Sequence, residues 1–507
     1  MGLGLSIVAP FAKPIIVHAL AAWSIEGHPH NVNIIIVDDV SSTVQPVTHP
    51  TFDKDYAKQY HITPDVTMTN GRHSPPISLD LPPELVDDII TRALANLGGR
   101  SLSSMALVSQ HFRVQVNQQR FSAIILDTDL GYDCTYISHR LNTLALIVDA
   151  ERYIPGMLNV ASFITCFEFS MVAKQDESRP RIDIAMAILC KALFRPTQSY
   201  KSRAEDFQFR LEPWQRSYTD ELTEWNSLSP DFTASFADLC RNSALTRLRI
   251  FNIRHVPMGL LQGSSVKHLH LRDVDIHRHL DLSSETHRPC FLHSLVVDGS
   301  LPFETISHIL CGRHAPPPAL FSRLKELKMM LRGHGDVDTT NQILSKATSL
   351  DTLTLSLPVV LRGPTLEETL QGRIVEYGHL PSLKKLYLLP ISRDGFPMDR
   401  ILGNAVPAGL QEIHVFFSYY LTHSVIHANM FPLIDLTDID NRLADRLYST
   451  VKRVIISLHV VLGFNSSALD FAAFGGICRT SVINSLPRLS RAFSEALDVR
   501  IDLIPSS

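Results

Sequence analysis

The chain has 507 residues, of which 45% are hydrophobic and 19% charged, with a mean hydropathy of +0.06. That length leaves room for two to four domains or one elongated repeat domain. The formal net charge of −4 gives no support for nonspecific nucleic-acid binding, which needs a basic domain.

Seven cysteines are scattered without CxxC spacing. An odd number without a framework points to a reducing compartment, so a cytoplasmic or nuclear location is expected. Residues 1–76 read as an N-terminal extension, largely loop and linker. Met1 to Trp23 is apolar but interrupted by Pro10, Lys13 and Pro14, which suits neither a secretory signal nor a stable membrane span. The opening MGLGLS fits the loose myristoylation pattern at Gly2 and Ser6, yet reads more simply as an unmodified extension. Asn33 to Val37 suits a strand, and Ser41 to Pro76 is rich in Thr, Ser, His and Pro.

Residues 77–126 form a small unit. Pro82 and Pro83 suit a first helical turn, where a missing N–H costs nothing. Leu85, Val86, Ile89, Ile90, Ala93, Leu94 and Leu97 then recur at helical spacing. Gly98 and Gly99 end that helix, and Ser101 caps a second one lined by Leu102, Met105, Ala106, Ser109, Phe112 and Val116. A strand-like tail follows, to Leu126. A unit this small needs something else to cover its apolar faces.

LPPEL followed by ALVSQHF resembles an F-box. Leu81, Pro82, Leu85, Ile89, Leu94, Leu102, Leu107 and Val108 match its pattern, while Ser109 stands in place of the usual Cys and Phe112 in place of the usual Trp. The resemblance implies docking on a Skp-type adaptor, and through it on a cullin, by Leu81, Pro82, Leu85, Ile89, Leu102, Leu107, Val108 and Phe112.

Residues 127–244 read as degenerate repeats or an insertion. Earlier repeat copies are expected at Leu141-Leu144-Leu146 and Ile164-Phe167-Phe169, and a helix at Ile182 to Phe194. From Leu245 the pattern LxxLxL recurs eight times. Its copies are Leu245-Leu248-Ile250, Val266-Leu269-Leu271, Leu292-Leu295-Val297, Leu324-Leu327-Met329, Leu350-Leu353-Leu355, Leu383-Leu386-Leu388, Leu410-Ile413-Val415 and Val451-Val454-Ile456. Their starts lie 21 to 41 residues apart, where regular leucine-rich repeats run about 20–29. Each copy places a short strand in a parallel sheet, and stacked neighbours bury what one unit cannot. The expected fold is therefore α/β: a small helical F-box, then an irregular leucine-rich-repeat solenoid over residues 245–507, with parallel strands on the concave side and helices and loops outside. A competing reading is an α/β domain with unrelated parallel strands. Pro302 to Cys311, Thr340 to Ala347 and Asp399 to Ala405 suit return segments. A helix near Leu486 to Leu497 and a strand at Val499 to Leu503 close the chain.

No P-loop, GxGxxG, HExxH or GxSxG motif occurs. His268, His270, His277, His279, His287, Cys290 and His293 form a dense group, but the HxH pairs lie far from a known zinc spacing and the histidines read as solvent-facing on a repeat strand and its loop. No catalytic residue, cofactor or metal is expected. The residues flanking each central leucine should point to the open face. Among them Arg247, Arg249, His268, His270, Lys328, Lys385 and Tyr387 make a cationic ladder suited to an acidic or phosphorylated protein target. An F-box ahead of irregular leucine-rich repeats is similar to the expanded F-box families of mushroom-forming fungi. That implies a non-enzymatic substrate-recognition subunit of a Skp-cullin-F-box ubiquitin ligase. The alternative is a leucine-rich interaction scaffold outside any ligase.

Overall fold

A computed structural model describes residues 27–28, 31–32, 110–127, 134–150, 160–173, 179–194, 204–213, 223–241, 245–281, 290–299, 301–313, 319–356, 372–391, 401, 405–421, 436–445, 448, 450–462 and 470–505. The chain divides into two units, Met1–Arg120 and Phe121–Ser507. In the first, Gly27–His28 pairs antiparallel with Asn31–Val32. Helix α1, Gln110–Phe121, spans the boundary in sequence, and its Val116 is fully buried.

The second unit is α/β, built on an open sheet of thirteen strands that pair in parallel. The strands are β1 (Ala123–Asp127), β2 (Cys166–Ala173), β3 (Asp206–Pro213), β4 (Thr223–Glu224), β5 (Arg247–Met258), β6 (His268–Asp281) and β7 (Ser294–Val297), followed by β8 (Glu326–Met330), β9 (Thr352–Ser356), β10 (Lys385–Ile391), β11 (Glu412–Leu421), β12 (Arg453–Leu462) and β13 (Leu497–Pro505). Their order follows the chain from β1 to β13, except that β4 pairs with β5 beside β3. Parallel neighbours need a crossover connection, which sets most intervals between copies; the link from β5 to β6, residues 259–267, is the short one.

All eight LxxLxL copies form strands in one register. Leu248, Leu269, Leu295, Leu327, Leu353, Leu386, Ile413 and Val454 are successive cross-strand partners. Two residues on, Ile250, Leu271, Val297, Met329, Leu355, Leu388, Val415 and Ile456 form a second row. Every member of both rows is buried. The first row continues backward through Phe207 and Phe167 to Ile124, the second through Phe209 and Phe169 to Leu126. The strand-like tail after the small unit is thus the sheet's first strand.

The segment 127–244 supplies strands β2–β4 together with helices α2 (Cys134–Ala150), α3 (Arg179–Phe194) and α4 (Pro230–Cys240). Ile164-Phe167-Phe169 leads into β2 as expected. Leu141-Leu144-Leu146 does not make a strand: it lies within α2. There Ile137, Leu141, Leu144 and Val148 are buried at helical spacing, while Leu146 is 68% exposed. The LxxL step fits a helical face as well as a strand, and the flanking residues decide for the helix. Phenylalanines stack strand on strand, Phe167 on Phe207 at 5.7 Å and Phe169 on Phe209 at 5.9 Å. Phe232, Phe236 and Trp225 close on them from α4 and the turn before it. Ser229 caps α4 ahead of Pro230, and the buried Asp183 of α3 accepts the Ser229 N–H at 2.7 Å.

Further on lie α5 (Phe303–Cys311), α6 (His334–Leu344), α7 (Thr437–Leu443), α8 (Phe471–Asn484) and α9 (Pro487–Ala492). Asp440 of α7 accepts the N–H groups of Arg488 and Leu489, tying α7 to α9. Strands β5 and β6 outrun their triplets. Asn252, His255 and Asp273 take left-handed conformations there, and the β5–β6 register shifts between Ile253 and Val256, the geometry of a bulge. Strand β13 forms the last edge of the described sheet, carrying Asp498, Arg500 and Asp502 on alternate positions and ending at Pro505.

The buried rows make a clear demand on volume. Leu353→Ala should cost about 2–5 kcal/mol in urea denaturation followed by circular dichroism, whereas Thr352→Ala beside it should stay within about 0.5 kcal/mol.

Candidate functional site

Alternation along each strand sends the residues between the apolar rows to the opposite face of the sheet. One polar row runs Cys166, Asp206, Arg247, His268, Ser294, Glu326, Thr352, Lys385, Glu412 and Arg453. The next runs Glu168, Gln208, Arg249, His270, Val296, Lys328, Thr354, Tyr387, His414, Ile455 and Asp498. All seven residues expected on the cationic ladder therefore share one face in two adjacent rows.

Their charges are not all available. Arg249 donates from Nη2 to Glu168 Oε1 at 2.6 Å and to Asp206 Oδ1 at 3.1 Å. Burial alone would lower the Arg249 pKa, but the two carboxylates outweigh it and raise it. Arg247 sits 3.8 Å from the same Asp206 and is far more exposed. His270 Nε2 meets Asp298 Oδ2 at 2.6 Å, under the edge of the Phe251 ring, and Lys328 Nζ approaches Asp298 from 3.8 Å. Burial works against ionisation of Asp298, yet the His270 hydrogen bond and the Lys328 charge hold its pKa below the ordinary value. Tyr387 donates its hydroxyl to Glu412 at 3.2 Å. Burial, then the Glu412 charge, raises the Tyr387 pKa.

Toward β13, His414 Nε2 meets Ser457 Oγ at 2.7 Å, and Arg453 and Arg500 share Asp498 at 2.9 Å. His459 pairs with Asp502 at 2.6 Å. The acids Glu168, Asp206, Asp298 and Asp498 come from strands and loops outside the ladder as read from sequence. They convert a cationic stripe into alternating ion pairs. Partly buried pairs of this kind fix side-chain geometry more than they attract.

One part of the face gathers basic side chains. His268 and His293 meet ring to ring at 6.4 Å. Burial, Arg247, His293 and Lys267 lower the His268 pKa against a smaller pull from Glu326. Burial, Lys267, Lys325 and Arg323 lower that of His293.

Of the dense histidine group, His277 faces His255 at 5.2 Å and Cys290 is buried with Ser264. Among the described residues no three His, Cys, Asp or Glu side chains are placed to hold a metal ion. Burial pushes the Cys166 thiol up to about 12 and the Cys290 thiol up to about 11, so both are neutral thiols at physiological pH. Among the described residues no helix is long and apolar enough to cross a membrane. Leu81, Pro82, Leu85, Ile89, Leu102, Leu107 and Val108 lie outside the described residues, and Phe112 falls on α1. Neither a known family model nor a curated protein matches the chain.

Two outcomes follow from these contacts. Arg249→Met strands two carboxylates and should lower stability to urea by about 1.5–3 kcal/mol, against under about 0.5 kcal/mol for Arg247→Met. In a proton NMR pH titration, His268, His293 and His414 should protonate below the ordinary histidine value of 6.5. Because the fold disfavours their charged forms, they withdraw stability as pH falls through 6.5, where the unfolded chain takes up protons first.

Proposed function

We propose that the chain is the substrate-recognition subunit of a Skp-cullin-F-box ubiquitin ligase. The segment 77–126 is its F-box, and the sheet that follows is an irregular leucine-rich-repeat solenoid that holds a target protein. The observation that carries this reading is the succession of an LPPEL…ALVSQHF segment and a parallel sheet with eight LxxLxL copies in one register.

The chemistry of the exposed face supports a binding role. Polar and aromatic side chains there are held by cross-strand pairs, so they are ordered before a target arrives. Preorganisation of this kind reduces the entropy lost on association. Such a subunit makes and breaks no bonds. It raises the effective concentration of a target lysine near the ubiquitin-charged enzyme. The adaptor touches Leu81, Pro82, Leu85, Ile89, Leu102, Leu107, Val108 and Phe112, and the complex works in the cytoplasm or nucleus.

Co-purification with a Skp adaptor tests the reading. Wild type should retain the adaptor and Leu81→Ala/Pro82→Ala should lose most of it. Equal retention by both chains, or none by wild type, leaves the interaction scaffold outside any ligase as the better description.

A further inference from the structure

Three adjacent strands begin on basic residues. Lys267, His293 and Lys325 directly precede β6, β7 and β8. The N–H of His293 donates to the Lys267 carbonyl at 2.7 Å, and that of Lys325 to the His293 carbonyl at 2.8 Å. The three are therefore consecutive in one row across the sheet, roughly 4.8 Å apart per strand. Two residues before Lys325, the Arg323 guanidinium lies over the Phe291 ring at 4.6 Å. On the strands themselves His268 faces His293 at 6.4 Å, and Arg247 is the cross-strand neighbour of His268. Lys267, Arg323, Lys325 and Arg247 are all exposed.

This island gathers several such cations, where Lys385 stands singly at the start of β10. Among the described residues Lys267, Arg323 and Lys325 have no carboxylate partner, whereas Arg249, His270, Arg453 and Arg500 each have one. Burial is the main cause of the lowered pKa values of His268 and His293; Arg247 and Lys267 add to it at His268, where Glu326 opposes them, and Lys267, Lys325 and Arg323 add to it at His293. The island is also bounded. The row of strand starts continues through Thr246 to Glu205 on one side and to Asp351 on the other. Asp351 is already held by Lys384 at 2.8 Å.

We propose that Lys267, His268, His293, Arg323 and Lys325 form an anion-recognition site for a phosphorylated residue within an acidic peptide. The site deepens the reading of the sheet as a target-binding surface and rests on it. A phosphate offers three strong acceptor oxygens and nearly two charges. The lysines supply point charges, the arginine a planar fork, and the imidazoles ring N–H donors. A nucleic-acid strand needs a long basic track with many phosphate contacts. Here Glu205 and Asp351 close the track after three strands, which matches one phosphate rather than a run of them.

The test uses the full chain and three probes with one dye: a twelve-residue Glu/Gly peptide carrying one phosphoserine, the same peptide with serine, and a twelve-nucleotide oligothymidylate. Fluorescence anisotropy in 150 mM salt should show the phosphopeptide bound at least tenfold more tightly than either other probe. Lys267→Glu/Lys325→Glu should weaken that binding at least tenfold. Arg479→Glu/Arg491→Glu, an equal charge change on α8 and α9, should leave it within twofold. The proposal fails if the phosphopeptide is not preferred over its serine form, if both charge-reversed chains weaken alike, or if the oligothymidylate binds as well. None of these readings uses an adaptor, so loss of adaptor co-purification and loss of this site are told apart.

Discussion

The structure of the second unit depends on register. A parallel strand with two buried positions separated by one exposed position can hide its apolar side chains only if its neighbours carry the same phase. A slip of one residue would turn the whole apolar row outward. Leu248, Leu269, Leu295, Leu327, Leu353, Leu386, Ile413 and Val454 meet that condition strand by strand. The connecting segments are free to vary in length because they do not set the phase. Helix-bearing crossovers such as α5 and α6 and the short turn between β5 and β6 lead to the same ladder.

The same register decides the chemistry of the opposite face. Once the leucines are aligned, the residues between them are aligned too, and side chains far apart in sequence become neighbours. Arg249 and Glu168 are separated by 81 residues, and His270 and Asp298 by 28. Most of the face is consequently neutralised by its own acids. Unpaired cations gather at the starts of β6 to β8, around Lys267, Arg323 and Lys325. Recognition on such a surface depends on where compensation stops, and net charge along the ladder is a poor guide to it.

Much of this was legible in the sequence, and the exceptions have physical causes. The triplets marked eight strands because three bulky apolar positions in LxxLxL phase are rarely met together in a helix. At Leu141-Leu144-Leu146 the triplet failed, since helical spacing satisfies its first step and only Leu146 objects. Strand β3 went unread because its triplet begins on Ala204, whose small side chain hides the repeat before Phe207 and Phe209. Helix α8 was masked by Gly475 and Gly476 in its interior. The ladder's seven candidate residues share one face because strand alternation puts them there. Their partners could not be read in this way, because Glu168, Asp206 and Asp298 lie on strands and loops whose positions only the folded register reveals.

A sheet of parallel strands has no natural end: its last member offers the same unpaired amides and carbonyls that every earlier member used to recruit the next. In β13 the growth stops at a strand whose outward positions alternate Asp498, Arg500 and Asp502 and whose final residue is Pro505. A further strand laid along that edge would meet a proline without an N–H to give. The residue that ends the strand therefore also shortens the edge on which another strand could be laid, so Pro505 acts on the sheet's border as well as on its own strand.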